Sequence, residues 1–558
     1  MLKKVLIAGI VSVCLLSGLL MGRVVAQDPS PSPEQSAPAE VAPEGAAPAE
    51  GAPEGVAPAA GVSPQPAAPA AGVSPQPAAP VEVSPQPVAP AAGVSPQPVA
   101  PAPVFPEPVV APATGEETAA AAASPIDTGD TAWMLISSAL VLLMTPGLAF
   151  FYGGLVRSRN VLNTMMMSLI LMAVVGVVWV LWGYSLAFAP VSVTPPAAPG
   201  EAATFDANPI IGSLNWMFLG GVAFDAPDPV GYAPTIPHQL FMAYQMMFAM
   251  ITPALISGAI VERMSFKAYF WFILIWATFI YSPLAHWVWG KGWIGAMGAL
   301  DFAGGTVVHI SSGVSAVVAA WMIGPRKTFM VQPAAPHNVP YVLLGIGILW
   351  FGWMGFNAGS ALGAGSLAAV AFVATTVSAA AAGLTWVILE WVLRGKPTAI
   401  GIASGFLAGL VGVTPAAGFV TPIGALLIGS ITSVCCFFGV SLRAKLQFDD
   451  SLDTFPVHGL GGTVGALLTG IFATKEVNAA GNNGLLFGNP SLLVTQIVGV
   501  VATYIFAAAG TFVILKALGA IMELRVKPES EDQGLDINEH GEEGYGEEFA
   551  SGLSFPGK

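Results

Sequence analysis

The sequence predicts an all-α membrane protein of 11 transmembrane helices, an inverted 5+5 repeat followed by a long final helix. Three observations predict it. Charged residues make up 9% of the 558 residues and apolar ones 54%, with a mean hydropathy of +0.71. Soluble domains carry about 25% charge, so a soluble chain of this length could not cover its surface. Eleven apolar runs of spanning length lie between Thr131 and Val526, each near the ~20 residues that cross a ~30 Å hydrocarbon core. The fifth and tenth runs also share a pattern of an Asp, a His and a Gly-Gly-Thr: Asp301-Phe-Ala-Gly-Gly-Thr-Val-Val-His309 and Asp453-Thr-Phe-Pro-Val-His458-Gly-Leu-Gly-Gly-Thr463. Five spans per half is odd, so the second half enters the membrane from the opposite side, and its special residues are expected at the midplane between the halves.

Residues 1–26 read as a secretory signal peptide, with Lys3 and Lys4, an apolar run from Val5 to Met21, and Val24-Val25-Ala26 as the cleavage site. An uncleaved anchor is the alternative, because the run is long and Arg23 follows it. Residues 27–128 are rich in Pro and Ala, and Ser-Pro-Gln-Pro recurs at 63–66, 74–77, 84–87 and 95–98. Such a segment favours extended polyproline II and cannot bury a core. It reads as an exported stalk.

The membrane domain covers 129–526. Its spans are expected at 132–153, 161–188, 238–260, 267–289, 303–324, 339–357, 366–393, 399–414, 421–442, 457–474 and 491–525. The basic residues test this division. With Lys516, inside the last span, left out of the count, Arg157, Arg159, Arg263, Lys267, Arg326, Lys327, Arg394, Lys396, Arg443, Lys445, Arg525 and Lys527 fall on one side, and only Lys291 and Lys475 on the other. Twelve against two orients the chain by the positive-inside rule. The N-terminus lies outside, the C-terminus in the cytoplasm, and the plasma (inner) membrane is the expected location. Residues 527–558 form an acidic C-terminal tail, whose charges could simply be solvated while its first residues pack against the membrane domain.

The net charge of −14 has the wrong sign for nucleic-acid binding. Cys14, Cys435 and Cys436 fit neither a disulfide framework nor a metal site. No phosphate-binding G-x-x-x-x-G-K-[ST] loop occurs. The chain therefore reads as neither an enzyme nor an ATP-driven pump, and no cofactor is expected.

Charged groups at membrane depth cost about 2.5–3.5 kcal/mol on the insertion scale, so the few present stand out. His309 and His458, matched across two inverted halves, would line a pathway for something small. Asp301 and Asp453 each could cap a helix N-terminus. Aromatic residues gather near the outer ends of spans: Phe248, Trp289, Trp353 and Phe356, with Ser360 just beyond and Gln245 a turn before Phe248. Rings plus a hydroxyl at a mouth could hold a small cation by cation–π contact, although single rings there are usually interfacial. His286 reads as interfacial and Glu390 as an i,i+4 partner of Arg394.

Several stretches together resemble the ammonium transporter (Amt) family, relatives of the Rhesus proteins. They are Thr131-Ala-Trp-Met, Phe151-Tyr-Gly-Gly-Leu-Val-Arg, Gly258-Ala-Ile-Val-Glu-Arg263, Leu300-Asp-Phe-Ala-Gly-Gly-Thr-Val-Val-His309, Gly355-Phe-Asn-Ala-Gly-Ser360, Gly409-Leu-Val-Gly-Val-Thr-Pro415 and, in the tail, Gly534-Leu-Asp-Ile-Asn-Glu-His-Gly541. The resemblance implies an eleven-helix protomer in a homotrimer, with a pore through each subunit for ammonium or ammonia. It implies an outer ammonium site of Phe248, Trp289 and Ser360, a gate of Phe248 and Phe356, twin pore histidines His309 and His458 flanked by Trp353, and Asp301 as a structural acid. It also implies a tail open to control by PII-type proteins. It says nothing of the stalk. An ammonium sensor signalling through the tail is the alternative function. A channel for water or neutral solutes is a third, weakened because Asn208-Pro and Asn489-Pro lie outside the spans and lack a following Ala.

Overall fold

The computed structural model describes residues 126–194, 204–331 and 335–545. The expected signal peptide, nearly all of the stalk and the end of the tail lie outside the described residues.

Ten helices among these residues are long and apolar enough to cross a membrane: α1 (Thr128–Leu155), α2 (Ser158–Phe188), α3 (His238–Ser257), α4 (Phe266–Ala296), α5 (Gly305–Ile323), α6 (Val339–Ala361), α7 (Ser366–Arg394), α9 (Pro422–Lys445), α10 (Phe455–Phe472) and α11 (Pro490–Gly519). Between α7 and α9 runs the shorter apolar α8 (Ala399–Val413). Its 15 residues reach only about 22 Å at 1.5 Å each. The chain continues from it through buried, non-helical Thr414 to Val420. Irregular backbone at this depth is tolerated where protein rather than lipid surrounds it. The outward faces of the long helices stay apolar and exposed, as at Leu135, Val177, Leu384 and Ile505. A small antiparallel ribbon, β1 (Ser192–Thr194) and β2 (Thr204–Asp206), sits in the α2–α3 connection.

Polar side chains start many of the helices. Asp127 accepts from Asp130 N (2.8 Å), Asn338 from Tyr341 N (3.0 Å), and Thr398 from Gly401 N (2.8 Å). The Asp127 cap begins α1 at Thr128, ahead of the expected 132. At the other end α11 stops at Gly519 rather than running to 525, and Arg525 bridges back to Met264 instead.

Matched helices of the two halves meet. α1 packs on α6, and the start of α10 packs on α5. This is the pairing expected around a pseudo-twofold axis, and it brings the fifth and tenth helices together at the centre.

The connections on the tail side are tied by buried ion pairs. Glu262 accepts from Arg157 Nε (2.9 Å), Asn160 Nδ2 (2.9 Å) and Arg326 Nη1 (2.9 Å). Arg326 reaches on to Asp449 through Nε (3.0 Å) and Nη2 (2.8 Å). Arg263, fully buried, donates to Gly324 O, Ser451 Oγ and Asp449 O, each at 2.7 Å. The tail joins this network. Asp536 accepts from Leu162 N (3.1 Å) and Asn163 N (2.8 Å). Glu531 accepts from Lys327 N and Arg525 Nη2, both at 2.6 Å, and Leu535 N donates to Asn160 Oδ1 (2.8 Å). Several of the tail's acids are therefore partnered rather than solvated.

Burial by itself would raise the Glu262 carboxyl; the Arg157 hydrogen bond and the charges of Arg326 and Arg157 outweigh it and hold it at about 2. Its folded value lies below its ordinary one, so its stabilisation is present above the carboxylate range and is lost as pH falls toward 2. Glu262→Gln leaves two arginines short of a charge partner and is expected to cost about 3–5 kcal/mol. Thermal unfolding in detergent should show a lowered melting temperature for the variant, with the difference from the parent shrinking as pH drops.

Candidate functional site

The two halves converge on His309 and His458. Both lie in wide, π-helical first turns: Gly305–Ile310 begins α5 and Phe455–Gly459 begins α10. Such turns frequently mark functional sites. A carboxylate precedes each. Asp301 accepts four backbone N–H groups, from Gly304, Gly305, Thr306 and Val307 at 2.7–3.1 Å. The counterpart is Asp450, which accepts from Thr454 N (3.0 Å) and Phe455 N (2.7 Å). Asp301 and Asp450 each stand eight residues before their histidine. The expectation that Asp453 caps α10 is thus corrected: Asp453 sits three residues too late and pairs instead with Arg443 Nε at 2.5 Å.

The Gly-Gly-Thr repeat is likewise not equivalent in space, since Gly304-Gly305-Thr306 precedes its histidine and Gly461-Gly462-Thr463 follows. The glycines that match are Gly313 and Gly462, each four residues after its histidine. A Cβ on Gly313 would lie 2.3 Å from Gly459 N. One on Gly462 would lie 2.9 Å from Gly305 O and 3.0 Å from His309 Cβ. Only glycine at both positions allows α5 and α10 to cross this closely.

The crossing sets the imidazoles 5.4 Å apart between centroids and nearly parallel at 24°, with Nδ1 to Nδ1 at 3.3 Å. One Nδ1 must donate and the other accept, so two neutral rings there hold opposite tautomers and present one Nε2 as donor and one as acceptor. His309 Nε2 is buried and has no hydrogen-bond partner among the described residues. Trp353 stacks on His309 at 5.5 Å and 18°, and its Nε1 donates to Thr414 Oγ1 (2.9 Å). Around the rings Leu148, Ile251, Leu255, Val308, Leu349 and Leu407 leave a cavity of only about 10 Å³. That is about one water's worth of space, with few polar partners.

Phe356 lies on the far side of His309 from the tail-side connections, at 6.1 Å, and Phe248 packs on Phe356 at 4.3 Å. Both phenylalanines are buried, at 1% and 2% exposure, so together they close the line of rings. Trp289 stands edge-on to Phe248 at 6.0 Å and donates from Nε1 to Asp301 O (2.8 Å). Ser360 donates to Phe356 O (2.8 Å) and meets Tyr244 Oη at 3.2 Å. Ser360, Trp289, Phe248, Phe356, His309, Trp353 and His458 are thus linked by successive contacts, with Asp301 beneath Trp289.

Sequence reasoning missed Tyr244. Its hydroxyl donates toward Gly355 O (2.8 Å) and Phe356 O (3.0 Å), which stabilises the wide turn Met354–Ala358 that carries Phe356. A tyrosine one turn before Phe248 was its only signal. His286 is buried rather than interfacial, with ring nitrogens 2.9 and 2.5 Å from Ala187 O and Asn208 O. On the tail side His458 opens onto a vestibule of about 530 Å³ that Arg326, Arg443, Ser451 and Asp453 also line.

This is the architecture of a multi-pass membrane conduit, with apolar lipid-facing helices around a narrow buried line of rings. The sequence profile described as Ammonium Transporter Family matches residues 132–545, and the chain belongs to that family. It is 51% identical over 418 residues to an ammonium transporter of Bacillus subtilis, covering 75% of this chain and 98% of that one. It is 44% identical over 417 residues to ammonium transporter Amt1 of Archaeoglobus fulgidus, covering 75% and 99%. Among solved structures it is similar to Candida albicans Mep2 (34% identity, TM-score 0.66, covering 73% of this chain and 88% of that one). It is also similar to a structure titled "Sensor Amt Protein" (29% identity, TM-score 0.65, covering 74% and 98%).

Gly462→Ala should push the imidazoles apart at a cost of about 1–3 kcal/mol in overpacking. A structure of the variant is expected to show Nδ1 to Nδ1 beyond about 3.5 Å, the limit of a hydrogen bond.

Proposed function

We propose that this ammonium transporter recruits the ammonium cation at Phe248, Trp289 and Ser360, strips a proton from it, and conducts ammonia past Phe356 and between His309 and His458. The observation that carries this reading is the dry pair of imidazoles behind two stacked phenylalanines. Burying a bare ion unpaired costs tens of kcal/mol. A desolvated cation–π contact returns about 2 kcal/mol, and a charge-assisted hydrogen bond about 1.5–3 kcal/mol. Two rings and a hydroxyl recruit the cation but cannot carry it through a cavity of about 10 Å³.

Neutral ammonia suits the pair. It can accept from one Nε2 and donate to the other, because the shared Nδ1 hydrogen bond makes the two nitrogens unlike. A proton taken up at the bare Nε2 of one ring, followed by transfer of that ring's Nδ1 proton to the other Nδ1 and release from the second ring's Nε2, inverts both tautomers and offers a route for the proton left behind. Asp301 positions this apparatus: its carboxylate organises the first turn of α5 and its carbonyl holds the Trp289 indole.

The twelve-to-two bias of basic residues supports a plasma-membrane orientation with the stalk outside and the tail in the cytoplasm. On this reading residues 1–26 are a signal peptide and 27–128 an exported stalk. Family likeness supports a homotrimer in the lipid and a PII-type protein as a partner for residues 527–558. The similarity to a structure titled a sensor favours a second reading, in which ammonium binding is signalled through the tail. A sensor would bind ammonium without carrying it.

Current recordings on proteoliposomes separate these outcomes. An ammonium pulse that moves ammonia with a current indicates that the proton follows, and one without current indicates a passive ammonia channel. Binding with no flux would favour the sensor. Removing the imidazole by His309→Ala is expected to abolish the current or to admit potassium. Unchanged flux and unchanged selectivity over potassium would remove the relay.

A further inference from the structure

Aligning the starts of α5 and α10 on their histidines gives a local offset of 149 residues, the separation of His309 and His458. That offset matches Asp301 with Asp450 and Gly313 with Gly462, and it matches Gly304 with Asp453. The last pair is the exception in chemistry. Both positions have positive φ, +123° at Gly304 and +59° at Asp453. Glycine adopts such a conformation without strain, whereas a side chain there is uncommon even for aspartate. Strained positions that persist tend to be functional. The first half thus keeps glycine beside Trp289, and the second half places a carboxylate beside the vestibule.

Asp453 lines that vestibule together with His458, and its side chain is 30% exposed. It faces Arg443 from α9, paired at 2.5 Å, and Asp450 in its own loop. Arg326, from the connection after α5, lines the same space but is committed to Glu262 and Asp449. Asp450 is fully buried and occupied by backbone N–H groups. Asp453 is therefore the carboxylate next to His458 that both reaches vestibule water and is free of backbone capping.

We propose that Asp453 is the proton-exchange group of the inner mouth, returning a proton to ammonia as it leaves His458. This inference rests on the ammonia-conduction reading above. In the step, the nitrogen lone pair of ammonia takes the proton of the Asp453 carboxylic acid. An N–H bond forms and an O–H bond breaks, leaving ammonium and a carboxylate beside Arg443. Hydronium in the vestibule water then reprotonates the carboxylate, so the net change is ammonia plus hydronium to ammonium plus water. A carboxylic acid is a much stronger acid than ammonium, so the transfer runs toward ammonium. Removing free ammonia at the inner mouth keeps its gradient along the pore steep. Arg443 stabilises the carboxylate until it is reprotonated.

The test uses the full chain in proteoliposomes of defined orientation, an ammonium gradient, and vestibule-side pH stepped between about 5 and 8. Parent flux is expected to fall as that pH rises. Asp453→Asn keeps the size and an Arg443 contact but cannot exchange a proton, and Asp453→Gly restores the residue of the matched position. Both should lower maximal flux about tenfold and flatten the pH dependence. Half-saturation by outer ammonium should stay unchanged. Asp453→Glu should retain the slope. A purely structural Asp453 predicts parental flux and slope in Asp453→Asn, and that result overturns the proposal alone. Absence of ammonia flux in the parent protein would overturn the conduction reading and this proposal with it.

Discussion

The contact between His309 Nδ1 and His458 Nδ1 at 3.3 Å is the constraint on which the rest of the structure depends. It joins two residues 149 apart through the first turns of helices that enter from opposite sides. Both turns must be wide, both need a carboxylate to collect their free N–H groups, and both helices need a glycine one turn further on. Trp353, held by Thr414, covers one face of the pair, and leucines, isoleucine and valine exclude water around it. In such surroundings a hydrogen bond is strong and an unpaired charge is costly. On the proposed reading, the same low polarity that fixes the tautomers also refuses a bare cation.

A second set of contacts holds the tail side together. Glu262 and Asp449 gather Arg157, Arg263 and Arg326 from three connections, and the tail adds Asp536, Glu531 and Leu535 to the same assembly. Losing one member of a buried charge network costs more than its absence from the start would have. The tail thus touches the starts of α2 and α4 and the segment after α11, where Asp536, Glu539 and Glu531 accept hydrogen bonds from Asn163 N, Phe266 N and Arg525 Nη2. Any rearrangement of the tail must reset these capping bonds.

Much of this was legible in the sequence because membrane helices write long apolar runs and because histidine is rare inside them. The extents of α7 and α8 and the two histidines follow from those signals, whereas the roles of Ser360, Trp289, Phe248 and Phe356 are what the family resemblance implies. The register of the repeat was harder. Two acids three residues apart, Asp450 and Asp453, compete for one role, and the two Gly-Gly-Thr strings favoured the wrong one. Spacing from the histidine, eight residues in each half, was the better guide. Wide helical turns leave no mark in composition, so the setting of Phe356 and the role of Tyr244 were hidden. The packing of the tail's first residues was expected, but most partners of its acids are backbone N–H groups, which carry no sequence signature.

The proposed mechanism requires a neutral histidine pair that shares one proton between its Nδ1 atoms. Solid-state nitrogen NMR on histidine-labelled protein in bilayers tests it most directly. The account predicts that His309 and His458 give one protonated and one bare Nδ1, coupled through the shared hydrogen, with opposite tautomers at Nε2. Two identical tautomers, or an imidazolium in the resting pair, would contradict it.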